Sequence, residues 1–431
     1  MNFLTIFYIA VFKSTVNVTG ITAISEETPM VEERSVETLM TGAMKEEDVA
    51  APTLPNFQCL KHFQSELNKI QNLAKNSTIP ILGSIVPARN GVIEVIFIMT
   101  HLPKQDYKRW YQKSWYCSVT TPAVMRGIDP RSHTLTIQCP SLSKSIVVGD
   151  NVAQYYIPSN ICPWKFQPAH ISACTMIKGP EAKTQLPAWI AYHRAVIGIE
   201  QFYVYINEEM DEPPFHHENV HWIPFQDTLN KKFLLQRAMQ NDCIARARFQ
   251  SDWVALHDVD EFFQLMDGGR STNVSHILQP YDGKKIGGIS IRNVFFGHNP
   301  DEVGKEFLDK NMTLPFENFR WRAPSPCGNG QREKMIVQPN HVKYFSVHKI
   351  TLGGPMQNMN AQSKIRMNHY KLASEGVYNP PKGMSCHVGG GFERNALVHD
   401  DSMHAYVEHV RTEVGIMMRA SASHSLYKSG N

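Results

Sequence analysis

The sequence predicts an α/β fold, a mixed sheet flanked by helices, with a small β-rich module ahead of it. Three observations carry that expectation. From residue 170 onward, short apolar runs alternate with longer segments of helical period, the pattern of strands and helices in a largely parallel sheet. Residues 79–165 hold only short β-branched runs between Pro and Gly punctuation. The chain has 431 residues, 42% of them hydrophobic, which is ordinary for a globular protein and excludes wholesale disorder. No apolar run of 18 residues follows the N-terminus, so a multi-pass membrane protein is excluded as well.

The elements follow in order. Phe3 to Phe12 is apolar apart from Thr5 and is followed by Lys13, so residues 1–24 read as a signal peptide or a short signal anchor. Residues 25–78 begin as an acidic stem. Phe57, Leu60, Phe63, Leu67, Ile70 and Ala74 then recur at spacings of three and four, an amphipathic helix that docks on the body or pairs with a second copy in a homodimer. In the module at 79–165, strands are expected at Val92–Met99, Ser114–Val119, Thr134–Cys139 and Ser145–Val148.

Residues 166–400 form the expected main domain. Strands are predicted at His170–Ile177, Gln201–Ile206, Val220–Pro224, Trp253–Leu256 and Ile286–Asn293. Helices are predicted at Leu186–Ile197, with Pro187 in its first turn, and at Lys232–Gln250. Residues 401–431 add a helix through Met403, Val407, Val410, Val414 and Met417, then a Ser-rich tail.

Charge and cysteine usage narrow the function classes. The net charge of +3 is not that of a general nucleic-acid binder. Residues 1–50 carry three bases against eight acids, net −5, which leaves +8 on the remainder, a balance that suits an anionic ligand such as a phosphate ester. The eight cysteines contain no Cys-x-x-Cys pair, which speaks against a zinc ribbon or a thioredoxin-like site. Asn-x-Ser/Thr sequons begin at Asn17, Asn76, Asn273 and Asn311, and with the N-terminal segment they point to the secretory lumen, as a single-pass Golgi membrane protein or a secreted one. In that compartment some cysteines should pair, while Cys243, inside a helical stretch, reads as a buried free thiol.

One segment carries chemistry. In Trp253-Val-Ala-Leu-His257-Asp258-Val-Asp260-Glu261 an apolar strand runs straight into two aspartates spaced i, i+2. Ligands of open α/β sheets bind outside the carboxyl ends of the strands, and two carboxylates there repel one another unless a cation joins them. Hard oxygen ligands suit Mn²⁺ or Mg²⁺, with coordination left for a substrate diphosphate. An Asp-x-Asp turn is also a common solvated strand end, so both readings stand on this segment alone.

A longer series of motifs is similar to glycosyltransferase family 92. It runs from Trp189-Ile-Ala-Tyr192-His193 through Gly198-Ile-Glu-Gln-Phe-Tyr-Val-Tyr-Ile-Asn207 to Gln236, Asn241-Asp242-Cys243 and Arg246. It continues in Trp253 to Phe262, Lys334-Met-Ile-Val-Gln-Pro339, Val347-His348-Lys349 and His369-Tyr370. The resemblance implies a GT-A fold and an inverting transferase that moves a hexose, galactose from UDP-galactose, onto a glycan acceptor with Mn²⁺ or Mg²⁺. It implies Asp258 and Asp260 as metal and diphosphate ligands and His369 as a third metal ligand, with His348 as the runner-up. His193, Asn207, Asp242, Arg246, Asp258, His348 and Lys349 are the donor-binding candidates under the same resemblance.

Ala188 departs from the family, in which an acid commonly precedes the Trp, and this leaves open a silent member that binds glycans or acts as a scaffold. An inverting transfer needs a general base. Among Asp301, Glu302, Glu306, Asp309, Glu317 and Glu333, Glu317 stands out for its aromatic setting in Pro-Phe-Glu-Asn-Phe. Structural alternatives stand beside several of these residues: His193 as a core histidine, Asn207 as a turn residue and Arg246 as part of a solvated helix face. Gly389-Gly-Gly391 lacks the Lys-Ser/Thr of a phosphate loop, and His216-His217 lacks the spacing of a zincin helix.

Overall fold

The computed structural model describes six strands between residues 81 and 158, then residues 168–225, 232–248, 250–267, 273–297, 314–328, 330–370 and 397–429. All of them belong to one compact unit, Ala51–Asn431. The expected stem, the 57–75 helix, the Ser114–Val119 strand, the Gly389–Gly391 loop and the sequons at Asn17, Asn76 and Asn311 lie outside the described residues.

The early strands are β1 (Ile81–Pro87), β2 (Val92–Ile98), β3 (Val124–Asp129), β4 (Thr134–Pro140), β5 (Ser145–Gly149) and β6 (Gln154–Pro158). β1 to β4 form an antiparallel sheet in the order β1-β2-β4-β3, and β5–β6 is a hairpin.

The main sheet begins with β7 (Ala169–Ile177), which leads into helix α1 (Gly179–Tyr192) and then β8 (Gln201–Ile206) and β9 (Val220–Pro224). Helix α2 (Lys232–Ala247) carries the chain to β10 (Ser251–Leu256). These four strands are parallel, in the order β10-β7-β8-β9. The chain therefore moves from β7 to one side, and after α2 it returns across β7 to place β10 on the other. Such a reversal opens a crevice at the carboxyl ends of β7 and β10, the position at which open α/β sheets bind ligands.

β11 (Glu261–Leu265) follows directly and leaves the main sheet. Next come the short helix α3 (Ser275–Leu278), β12 (Gly288–Ile291), β13 (Asn293–Gly297), the short helix α4 (Pro315–Asn318) and β14 (Trp321–Arg322). β15 (Lys334–Val337), the hairpin β16 (Val342–Ser346) and β17 (Lys349–Gly353), β18 (Met356–Asn358), β19 (Ile365–Tyr370), β20 (Val398–His399) and helix α5 (Val407–Ser429) complete the order. β15, β12 and β18 extend the main sheet to seven strands, with β15 antiparallel to both β10 and β12. A second sheet has the order β11-β19-β13-β14-β20.

Two cores flank the main sheet. Inward residues of β7, β8 and β10 (Ile171, Phe202, Trp253) pack with Leu186, Trp189 and Tyr192 of α1, with the second sheet and with Val407, Val410 and Met417 of α5. The alternate residues of the same strands (Cys174, Tyr203, Val254) pack against Leu235, Met239 and Cys243 of α2. This is the period-2 division of a strand buried on both faces.

Three sequence expectations are corrected. Cys243 is disulfide-bonded to Cys174 across 69 residues and is not a free thiol. A cysteine facing the sheet from the middle of a buried helix looks like a small apolar residue until the strand beneath it is known. Helix α1 starts at Gly179, with Pro180 at its amino end, so Pro187 lies in its interior. The early turns, Lys178 to Gln185, hold a single apolar residue and gave no periodic signal. The strand expected at Ile286–Asn293 resolves into β12 and β13, which belong to different sheets. Among the described residues no helix is long and apolar enough to cross a membrane.

Candidate active site

Strand β10 delivers the acidic turn to the crevice. The turn is closed by the Glu261 N–H donating to the Asp258 carbonyl at 3.1 Å. The Glu261 side chain folds back so that its Oε2 accepts the Asp258 N–H at 2.8 Å. Beyond the turn, β11 pairs antiparallel with β19 and sets Glu261 opposite His369. Tyr370 N–H donates to the Asp260 carbonyl at 2.8 Å, which fixes the backbone of the turn to the end of β19.

The aromatic residues of α1 grip β11 from behind. Trp189 Nε1–H donates to the Glu261 carbonyl at 3.0 Å, and the Tyr192 hydroxyl to that of Phe263 at 2.6 Å. His193 Nδ1 lies 2.8 Å from the Trp189 carbonyl, so it carries the proton and donates. That leaves His193 Nε2 as an acceptor, and His257 Nε2–H donates to it at 3.1 Å. Both rings are buried, and burial holds His193 neutral by lowering its pKa to about 3. His193, expected at the donor site, is therefore a core residue. Ala188 is likewise buried in the core beside Trp189, where an acid would need a partner of its own.

Three side chains converge at the open side of the turn. Asp260, Glu261 and His369 each place a ligand atom within 4.8 Å of the others. His369 Nε2 is 3.2 Å from Asp260 Oδ2, and its Nδ1 is 3.3 Å from Glu261 Oε1. The ring stacks on Phe295 of β13, with centroids 4.5 Å apart, which sets its plane. Burial would lower the His369 pKa, but the Asp260 and Glu261 carboxylates outweigh it and hold the pKa above the usual value.

Asp258 stands outside this cluster. Its carboxylate accepts from Lys334 Nζ at 2.7 Å and from Gln236 Nε2 at 3.1 Å, and its side chain is 39% exposed. Lys334 is the first residue of β15, is itself buried, and also reaches Glu261 Oε2 at 2.9 Å. Burial alone would raise the Asp258 pKa, but the Lys334 ammonium overrides it and the pKa falls below the ordinary value. Glu261 goes the other way: its burial and the neighbouring aspartates outweigh Lys334 and raise its pKa. Sequence reasoning missed Lys334 and Glu261 as site residues. The signal for Lys334 was a lone charge opening an otherwise apolar strand.

Other expected residues lie around or away from the crevice. His348 is half-buried, its Nδ1 2.9 Å from the Glu333 carbonyl, and burial with the nearby Lys334 charge lowers its pKa to about 4. It follows Val347, a β-branched residue at φ 44° in the tight turn between β16 and β17. Gln240 and Asn241 of α2 hold that turn by accepting the N–H groups of Val347 and Phe345. Lys349 is exposed, and Asn207 is buried at the carboxyl end of β8.

Asp242 and Arg246 both lie on α2 and are buried. They form a buried ion pair at 2.6 Å, with Asp242 also accepting from the Tyr205 hydroxyl, and so are part of the α2 interface. Glu317 is buried and held by Arg411 of α5 at 2.5 Å, and its other oxygen accepts the Leu314 N–H at the start of α4. It is a clamp between elements and not a poised base. Glu333 accepts the Gly330 N–H at 2.6 Å, while Asp301, Glu302, Glu306 and Asp309 lie outside the described residues.

Comparison with known proteins relates this site to a family. Residues 214–400 match the family model described as Glycosyltransferase family 92. This part of the chain is similar to glycosyltransferase family 92. The family-92 segment contains Asp258, Asp260, Glu261, Lys334, His348 and His369, whereas α1, which grips the acidic strand, precedes it. A glycosyltransferase family 92 protein of Ricinus communis is 27% identical over 221 residues, 48% of this chain and 36% of that protein. Two proteins of Arabidopsis thaliana named galactan beta-1,4-galactosyltransferases are 28% identical over 195 residues and 26% over 194, each 42% of this chain. The chain thus spans little more than a third of the length of these relatives, 36–37%.

Proposed function

We propose that this protein is a metal-dependent glycosyltransferase that moves galactose from UDP-galactose to a glycan, with inversion at the anomeric carbon, on a GT-A fold. The observation that carries the proposal is the placement of Asp258, Asp260, Glu261 and His369 at the carboxyl end of β10, inside the family-92 segment. The galactosyltransferase names of two relatives support galactose as the sugar. Golgi lumenal residence, through the N-terminal segment, belongs to the same proposal.

The residues fit a hard divalent cation. Carboxylate and imidazole atoms converge there, and two of them, Glu261 Oε1 and His369 Nδ1, are buried without a hydrogen-bond partner among the described residues. Asp260 and His369 would hold Mn²⁺ or Mg²⁺, which when bound would stabilise the charge that develops on the departing UDP. Asp258, kept ionised by Lys334 and open to solvent, accepts hydrogen bonds from the donor sugar or its ribose. Lys334 offsets two of the three carboxylates of the turn, so a diphosphate approaching the crevice meets less repulsion than the acid count alone suggests. The half-buried His348 is neutral at pH 7 with its proton on Nδ1, donated to the Glu333 carbonyl, so its Nε2 accepts without adding charge.

The test is UDP release by the full chain from a panel of UDP-sugars, with galactan oligomers as acceptor, in Mn²⁺ and in chelator. Release from UDP-galactose that needs the metal and drops by 100-fold or more in Asp260→Asn is the expected result. Metal-independent release, or a clear preference for another sugar, overturns it.

A further inference from the structure

We propose that Glu261 is the positioning residue of the cation site: it fixes His369 with its proton on Nδ1, so that Nε2 is free to ligate beside Asp260. The inference deepens the metal-dependent reading above and rests on it for the identity of the ligand set.

Four observations separate Glu261 from the ligands themselves. Its side chain is 1% exposed, against 20% for Asp260. Its Oε2 is already occupied, accepting both Lys334 Nζ at 2.9 Å and the Asp258 N–H at 2.8 Å. Its Oε1 is buried, has no hydrogen-bond partner among the described residues, and lies 3.3 Å from His369 Nδ1, which is equally buried and equally without one. The opposite ring nitrogen, Nε2, is the one that meets the partly exposed Asp260.

A neutral imidazole has one proton to place. On Nδ1, that proton faces the orphan Glu261 oxygen and satisfies both buried atoms with a slight rotation of the ring. On Nε2, it would point at Asp260, leave two buried acceptors facing each other and block the only nitrogen open to a cation. Metal-binding histidines generally donate their second nitrogen to such a carboxylate, and loss of that partner typically weakens the metal about 10–100-fold. Lys334 completes the arrangement by keeping the far oxygen of Glu261 engaged.

The experiment has two arms. Nitrogen-15 histidine-labelled, metal-free full chain is examined by two-bond proton–nitrogen correlation at a pH where the ring is neutral, with His369 assigned by its loss in His369→Gln. A protonated Nδ1 is expected, and a protonated Nε2 overturns the proposal without any variant having to fold. Manganese affinity is then measured by electron paramagnetic resonance for the wild type, Glu261→Gln, Glu261→Leu and Asp260→Asn. Glu261→Leu should weaken binding about 10–100-fold, and Glu261→Gln, which keeps an acceptor for the Nδ1 proton, by less than about tenfold. If Glu261→Gln is as damaging as Asp260→Asn, Glu261 is a direct ligand. If Glu261→Leu binds normally, its role is only structural, and either result sinks the proposal. A wild type that binds no manganese overturns the metal-dependent reading instead, and the nitrogen spectrum still decides the Glu261–His369 contact.

Discussion

Lys334 brings a single ammonium into contact with two carboxylates, one of them fully buried. Removing one member of a buried ionic cluster costs more than the cluster contributes, because the remaining charge is left without its partner. Lys334→Met should therefore destabilise the protein by about 3 kcal/mol in urea unfolding, with Glu261 bearing most of the loss. Glu317 allows a sharper discrimination. As the partner of Arg411 it should, when changed to Gln, lower the melting temperature and leave the pH profile of turnover where it was. A general base would instead take the basic limb of that profile with it. The buried imidazoles predict an acid-sensitive fold. His193 stays neutral in the folded protein down to about pH 3 and His221, stacked on Tyr203, down to about pH 4, while the unfolded chain protonates them near pH 6.5. The unfolded state thus binds more protons throughout that window, so stability falls as pH drops below about 6.5, by up to about 1.4 kcal/mol per pH unit for each group. Denaturant midpoints between pH 7 and 5 check this, and His221→Gln should flatten the slope.

At the scale of elements, β11 is the piece on which the site depends, and it is held from three directions. Helix α1 holds its carbonyls through Trp189 and Tyr192, β19 pairs with it along its length, and β15 delivers Lys334. The strands of the main sheet were legible in the sequence because both of their faces are apolar: Gln201–Ile206 and Val220–Pro224 fall where expected. β11 was not, since Glu261-Phe-Phe-Gln-Leu runs on from the acidic turn with no break and reads as its continuation. Asp260 and His369 were legible as a pair only through resemblance, because 109 residues separate them and only the β11–β19 register brings them together. Glu261 and Lys334 were illegible for the same reason. The Cys174–Cys243 bond joins β7 to α2 beneath the crevice. Replacing both cysteines with Ala should cost about 2–4 kcal/mol, as expected for a closed loop of this length, measured as a shift of the denaturant midpoint without reductant.

For the molecule as a whole, the crossing from β9 back over β7 to β10 puts the acidic turn at the point where the sheet changes winding direction. The side chains that meet the acidic turn then come from later in the chain: Lys334 of β15, His348 of the β16–β17 turn and His369 of β19. Helix α5 closes the fold by packing on α1, and its Arg411 reaches Glu317. Shortening the chain before Met403 should therefore loosen α1 and, through Trp189, the acidic strand itself, seen as faster amide exchange at Glu261 and Phe263. Under the proposed function, Asp260 and His369 Nε2 would hold a divalent cation beside the donor diphosphate. Anomalous diffraction at the manganese edge, from crystals grown with Mn²⁺ and UDP, tests it most directly. One strong peak between Asp260 Oδ2 and His369 Nε2, in contact with the UDP phosphates, is the predicted result. A peak elsewhere, or UDP bound in the crevice with no metal beside those two residues, would contradict it.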